Sequence, residues 1–258
     1  MADKDLVKFL GTAGARFVVA KQLRSSAGTF ICLGGKNIVL DPGPGTLVRL
    51  AKSKPAIDVT KLDAVVLSHL HIDHSNDVNA LIDAMTAGGF NKRGTLFAPA
   101  SCLDGDDFVV LKYLRGFLER IVVLEPETRY SFDGVSITTS IPHDHGVETY
   151  GIRFEHADKQ ISFMVDTRYF PELLDCYSGS DLLVMNVVRL KPHGSGEVLH
   201  LCVDDAEKIL GRLRPRKTVL THFGMTMIRA KPWEVAKRLS DGLGMDVTAA
   251  SDGMTLEL

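Results

Sequence analysis

Short apolar runs recur along the chain, and several of them are apolar at every position rather than at alternate ones. Leu6 to Leu10, Thr29 to Leu33, Asn37 to Leu40, Ala64 to Leu67 and Thr95 to Ala98 are rich in Val, Ile, Leu and Phe and are bounded by Gly, Pro or Asp. At this length and composition they predict strands. The second half repeats the pattern with Ile121 to Leu124, Val135 to Ser140, Tyr150 to Phe154, Ile161 to Val165, Leu182 to Asn186 and Thr218 to Leu220. Runs without polar alternation are those of strands covered on both faces. Helical periodicity lies between them at Gly45 to Ser53, Asp77 to Ala87, Phe108 to Leu118, Asp204 to Leu213 and Trp233 to Leu239. Strands outnumber helices, and the helices are spread along the whole chain, which predicts two packed sheets with helices outside. No linker or low-complexity segment divides residues 1–258, so the expectation is one domain.

Composition narrows the class. With 45% hydrophobic and 24% charged residues the chain is neither disordered nor fibrous. A net charge of −2 supplies no overall basic field for gathering nucleic acid. Cys32, Cys102, Cys176 and Cys202 stand far apart without a CxxC pair, which argues against a zinc knuckle or dithiol redox site and predicts free, buried thiols. The opening MADKDLVKFLG places charges ahead of any apolar run, and no stretch approaches the roughly 20 apolar residues of a membrane span. A cytoplasmic protein is expected.

The chemistry is concentrated after the run Ala64 to Leu67, where Ser68-His69-Leu70-His71-Ile72-Asp73-His74 packs three imidazoles and a carboxylate into six residues. A polar surface loop can contain histidines by chance, but the chain has only nine, so this density points to a site. Imidazole and carboxylate are ligands that zinc, manganese and iron accept, and a loop can fold neighbouring positions around two centres where a strand would point them apart.

HLHIDH fits the HxHxDH signature of the metallo-β-lactamase superfamily, and the upstream IVLDPGPG resembles the strand and turn preceding it there. HGVETYGIRFE, ISFMVDTR and TVLTHFGM follow in the family's order, so the resemblance spans nearly the whole chain. It implies a mixed α/β (α+β) chain folded as a four-layer αβ/βα sandwich, with metals at the edge of two sheets. Carried over by position, His69, His71 and His145 resemble the ligands of one metal, and Asp73, His74 and His222 those of the other, with Asp166 bridging. His145 is chosen over His143 because it stands six residues before Gly151, as in the family's HxxxxxG pattern. Asp41 of LDPGPG corresponds to an aspartate that usually orients the ligand loop by hydrogen bonds, and is left out of the ligand set.

Two divalent ions, zinc first with manganese or iron as alternatives, would hold a bridging hydroxide as nucleophile and clamp charge on a carbonyl or phosphoryl oxygen. The cluster therefore implies hydrolysis without naming the substrate. A phosphodiester benefits from a further donor for its leaving oxygen. His200, in GEVLHLCVDDAEKIL and 22 residues before His222, resembles the non-ligand His of the phosphodiesterase branch, meaning tRNA 3′-processing endonucleases and the cyclic phosphodiesterase of phosphonate breakdown. The opening FLGTAGARF resembles the start of that branch. The candidate catalytic residues are thus Asp73 and His200, although a surface histidine at a helix start would read the same. Where the family has Ser or Thr two residues after this His, the chain has Cys202, a poor helix cap.

The tRNA enzymes carry a long basic arm between the third ligand and the bridging Asp, but here His145 and Asp166 are 21 residues apart, room for two strands and a turn at Glu155 to Lys159. The expected partner is a small anionic substrate, with a short nucleic acid less favoured and no membrane; a homodimer is left open. The phosphonate-pathway relatives also have a cysteine-rich zinc site, whose pattern is not found. A thioester or lactone hydrolase, which needs the metals but not His200, is the alternative. Two segments are candidates for closing over a substrate: Val187 to Leu199, with Arg189, Lys191 and His193, and Phe108 to Leu118, whose apolar positions also fit ordinary core.

Overall fold

The computed structural model describes residues 4–194 and 197–258. Among these, the strands are β1 (Leu6–Phe9), β2 (Thr29–Leu33), β3 (Lys36–Leu40), β4 (Ala64–Val66), β5 (Thr95–Pro99), β6 (Arg120–Leu124), β7 (Arg129–Phe132), β8 (Val135–Pro142), β9 (Tyr150–His156), β10 (Lys159–Met164), β11 (Leu182–Asn186), β12 (Lys217–Thr221), β13 (Val247–Ala249) and β14 (Thr255–Glu257). They form two seven-stranded sheets, ordered β14-β1-β2-β3-β4-β5-β6 and β13-β12-β11-β10-β9-β8-β7. In each sheet one part is antiparallel and the other parallel: β3 to β6 in the first, β10 to β13 in the second.

The helices are α1 (Ala15–Ala20), α2 (Thr46–Ala51), α3 (Ile72–Ser75), α4 (Val78–Met85), α5 (Ala100–Leu103), α6 (Lys112–Arg115), α7 (Val203–Leu213), α8 (Met225–Arg229) and α9 (Pro232–Leu243). No helix of the described residues is long and apolar enough to cross a membrane. Alternation along single strands shows why the runs are apolar throughout. In β3, Ile38 and Leu40 enter the core between the sheets, while Val39 faces outward beneath Leu50 of α2 and Leu81 and Ile82 of α4. In β11, Leu182 and Val184 face the inter-sheet core and Leu183 and Met185 pack with Ile209 of α7 and Val235 of α9. Both faces are covered, so both registers must be apolar. The result is the expected four-layer αβ/βα sandwich. Cys176 is half-buried and the other three cysteines are buried.

Three strands escaped the sequence reading, β7, β13 and β14, and each lies at a sheet edge. An edge strand covers less apolar surface and carries polar positions, which breaks the run that gave the others away. The helix expected over Phe108 to Leu118 is corrected to the single turn α6. The N–H groups of Val109 and Val110 both bond back to the Cys102 carbonyl, and the Arg115 guanidinium occupies the carbonyls of Val110 and Leu103. Those groups are then withheld from a helical ladder. Of the positions expected in the core, Leu114 and Leu118 are buried, Val109 is half-buried and Leu111 is exposed, while Val110 is buried instead.

Candidate metal centre

The ligand candidates come from loops at strand C-terminal ends, where one edge of each sheet opens. His69 and His71 follow β4, and α3 turns Asp73 and His74 back toward them. From the second sheet, His145 lies between β8 and β9, Asp166 follows β10 and His222 follows β12. The nitrogen and oxygen atoms of His69, His71 and His145 lie within 4.8 Å of one another, as do those of Asp73, His74 and His222. These are the residues that the family resemblance grouped as two triads.

Hydrogen bonds fix which nitrogen three of the rings present. The Ser68 hydroxyl donates to Asp41 Oδ2 (2.7 Å), so it accepts from His69 Nδ1 (2.9 Å), leaving His69 Nε2 as the bare lone pair. Asp41 Oδ2 also accepts from His74 Nδ1 (3.0 Å), and Oδ1 from the Ser68 amide (2.7 Å). His145 Nδ1 donates to the Leu199 carbonyl (3.0 Å), turning Nε2 to within 3.0 Å of His71 Nδ1. His69 Nε2, His74 Nε2 and His222 Nε2 are buried without a hydrogen-bond partner among the described residues. A buried polar atom without a partner is costly, and three converging ones fit a cation that takes their lone pairs. Asp41 lies near enough to His69 and His74 to form a ligand group itself, but its oxygens are taken up in orienting both rings.

Asp166 joins the triads. Its Oδ2 is 3.3 Å from His74 Nε2, 3.2 Å from His222 Nε2 and 3.6 Å from His145 Nε2, while Asn186 Nδ2 at the end of β11 holds Oδ1 (3.0 Å). His222 Nε2 is 3.7 Å from Asp73 Oδ2. Zinc–nitrogen bonds of about 2.0–2.1 Å in a tetrahedron place neighbouring donors about 3.3 Å apart, the spacing found here. Nitrogen and carboxylate donors suit zinc, manganese and iron alike.

The electrostatics agree. Burial and the neighbouring imidazoles hold His69 well below its ordinary value, and burial also lowers His71 and His145, so these rings are neutral as ligands must be. Burial opposes charge on Asp73 and Asp166, but surrounding histidines, His74 for the former and His222 for the latter, hold both below the usual carboxylate range. His74 moves the other way: burial pushes it down, yet the Asp166 carboxylate beside Nε2, the Asp41 carboxylate on Nδ1 and the charge of Asp73 raise it well above its normal value. The buried carboxylates attract positive charge into this site, which a divalent ion would satisfy.

His143 lies behind the cluster. Its Nδ1 donates to the Asp166 carbonyl (3.2 Å) and its Nε2 accepts from Tyr177 Oη (2.7 Å), which leaves it no nitrogen for a metal. Burial lowers it to about 4, so it is neutral at physiological pH and supports the Asp166 backbone. Gly151 explains the HxxxxxG spacing physically: a Cβ there would stand 1.7 Å from Tyr177 Oη and 3.0 Å from His143 Nε2.

His200 sits at the mouth. Its Nε2 is 3.5 Å from Asp166 Oδ2, so His145, Asp166 and His200 are also close enough to hold an ion. Its buried Nδ1, however, has no partner among the described residues, so none of their hydrogen bonds fixes this ring in a ligand tautomer as those of His69, His74 and His145 are fixed. In front lies a cleft of about 960 Å³, whose wall includes His71, Asp73, His145, Asp166 and His200. Phe108 and Val109 line it, so the corrected segment does border the site. In the Val187 to Leu199 segment, Ser195 and Gly196 lie outside the described residues. Of the rest, Leu199 anchors His145, and Lys191 is paired with Asp204 (2.9 Å). Sequence reasoning missed Ser68, Asn186 and the Leu199 carbonyl. A polar residue ending an apolar strand, as in LLVMN, was the available signal for Asn186.

Residues 36–223 match the family model of the β-lactamase superfamily domain. The chain belongs to this superfamily. Its members are metal-dependent hydrolases, and the His/Asp cluster has the donors and spacing to hold a divalent ion. The uncharacterized protein MJ1374 of Methanocaldococcus jannaschii is 30% identical over 257 residues, covering 97% of this chain and 94% of the relative. YhfI of Bacillus subtilis, a probable metallo-hydrolase, is 24% identical over 233 residues, covering 90% of this chain and 93% of YhfI. Its crystal structure, a metallo-β-lactamase fold, aligns with a TM-score of 0.81 and 20% identity over 99% of this chain and 100% of that one. Ribonuclease Z of Thermobifida fusca is 28% identical over 166 residues, 62% of this chain but only 49% of the enzyme.

Proposed function

We propose that this superfamily chain is a phosphodiesterase acting on a small phosphodiester, a cyclic phosphate or a short nucleic acid, using two divalent ions, zinc before manganese or iron. The observation that carries this reading is His200, an imidazole 3.5 Å from Asp166 at the cleft mouth, outside both triads and with its Nδ1 free of partners among the described residues. Two bound ions would supply a water-derived nucleophile at neutral pH and offset charge on the phosphoryl oxygens. The protein's own part is to orient and to donate. Asp41 and Ser68 fix the rings of His74 and His69, Asn186 fixes Asp166, and Asp73 and Asp166 stay ionised beside them. His200 donates a hydrogen bond or proton to the leaving ester oxygen, the step in which a phosphodiester differs most from an activated acyl group. The likeness to ribonuclease Z supports phosphodiester chemistry. Between His145 and Asp166, however, stand only β9, β10 and the turn Ala157-Asp158, with no gripping arm, so a small substrate fits better than tRNA.

The apolar share of the cleft wall, Val19, Leu70, Ile72 and Val109 among it, favours a second reading, hydrolysis of a thioester or lactone. A panel at matched metal loading separates the two. Bis(p-nitrophenyl) phosphate or a 2′,3′-cyclic nucleotide should turn over faster than a thioester or lactone; the reverse order would move the chain to the acyl reading.

A further inference from the structure

The cleft contains a cation that the metal centre does not use. Arg16, in α1, is exposed, lines the cleft with His71 and His200, and makes no hydrogen bond or ion pair among the described residues. Its position is tied to the metal centre by backbone. The preceding turn bonds to the residue after His222, through Phe223 N to the Thr12 carbonyl (2.9 Å) and Gly14 N to the Phe223 carbonyl (3.1 Å). Gly14 permits this approach, because a Cβ there would stand 2.1 Å from the His222 carbonyl oxygen. An unpaired guanidinium built into the wall of a phosphodiesterase cleft is a ready donor for a phosphate oxygen.

The rest of the wall divides by chemistry. Val19, Leu70, Ile72, Phe108 and Val109 supply apolar lining, and Lys112 Nζ and the Arg115 guanidinium stand 5.3 and 5.5 Å from the Phe108 ring. Ile72 is 74% exposed, a large apolar surface left to water beside the metal ligands. Asp106 and Asp107, exposed and without partners among the described residues, add two negative charges to the lining. Such charges repel a chain of further phosphates, whereas an apolar wall gains by covering a flat organic group.

We propose that Arg16 grips a non-bridging oxygen of the scissile phosphate while the apolar lining at Leu70 and Phe108 seats an aryl or nucleoside group esterified to it. The site thereby takes compact phosphodiesters and turns away polynucleotides. This rests on the phosphodiesterase reading and adds to it the substrate's shape and its phosphate anchor.

Two readouts test it on the metal-loaded protein. Calorimetric binding of phenyl phosphate should weaken about 10- to 100-fold in Arg16→Ala, the range for losing a charge-assisted hydrogen bond, and recover in part in Arg16→Lys. Phe108→Ala should weaken phenyl phosphate while leaving inorganic phosphate unaffected. The double variant Asp106→Asn with Asp107→Asn should raise cleavage of a single-stranded oligonucleotide relative to bis(p-nitrophenyl) phosphate. If the wild type hydrolyses bis(p-nitrophenyl) phosphate but Arg16→Ala binds phenyl phosphate as well as it does, the phosphate anchor is overturned and the phosphodiesterase reading stands. If the wild type prefers thioesters, that reading falls and the proposed substrate class falls with it.

Discussion

Ser68 touches no substrate, yet the metal centre leans on its hydroxyl, which passes the pull of Asp41 to His69 Nδ1 and leaves Nε2 to bind. Ser68→Ala removes the acceptor of that N–H without changing any ligand. Metal affinity should fall about 10- to 100-fold, as for other losses of a ligand's hydrogen-bonding partner, in a competition titration against a chelator. An unchanged affinity would mean that packing alone sets the His69 tautomer. His200 is the opposite case, expected to serve the reaction rather than the metals. His200→Ala should keep its metal content and lose about 10²- to 10³-fold in kcat, with a smaller loss for p-nitrophenolate leaving than for an alkoxide. Near-normal kcat on both substrates would make it a surface histidine. Of the residues that meet here, the family resemblance could point to those with a distinctive letter and spacing: HLHIDH, Asp166 and His222. It could not disclose the Leu199 carbonyl, because a backbone acceptor carries no letter, nor Ser68, whose part appears only once Asp41 folds against it.

Among the elements, the β8–β9 connection shows a spacing rule becoming sterics. His143, His145 and Gly151 occupy one loop and strand start, and only a residue without a Cβ lets Tyr177 Oη reach His143 Nε2 (2.7 Å). Gly151→Ala should destabilise the fold by about 1–3 kcal/mol in denaturant unfolding, the usual cost of overpacking. Combined with Tyr177→Phe it should cost less than the sum of the two single changes. That substitution removes the 1.7 Å contact, leaving Tyr177 Cζ at 2.8 Å as the nearest atom. Strict additivity would contradict this account. The start of α7 shows a compensation that was not legible. Cys202, expected to be a poor cap, forms a capping box with Asp205, whose Oδ2 accepts from both the Cys202 amide (3.1 Å) and its thiol (3.0 Å). The strands buried on both faces could be read from their composition. Phe108 to Leu118 could not, since its helical spacing was overridden by carbonyls of α5 and the following loop, partners remote from the periodicity.

At the scale of the whole molecule, the two triads do not divide by sheet. His69, His71, Asp73 and His74 stand on the first sheet, and His145, Asp166 and His222 on the second, so each triad draws on both sheets. The four-layer order was legible because apolar runs on both sides of the chain's midpoint demanded cover on two faces. How closely the sheet edges would bring the loops together was not, because that follows from the packing of the inter-sheet core. The central claim is that these seven residues hold two ions. Metal analysis of protein prepared without chelators and incubated with zinc or manganese tests it most directly. The account predicts close to two ions per chain, and His74→Ala retaining about one; wild-type protein that still carries no bound metal would contradict it.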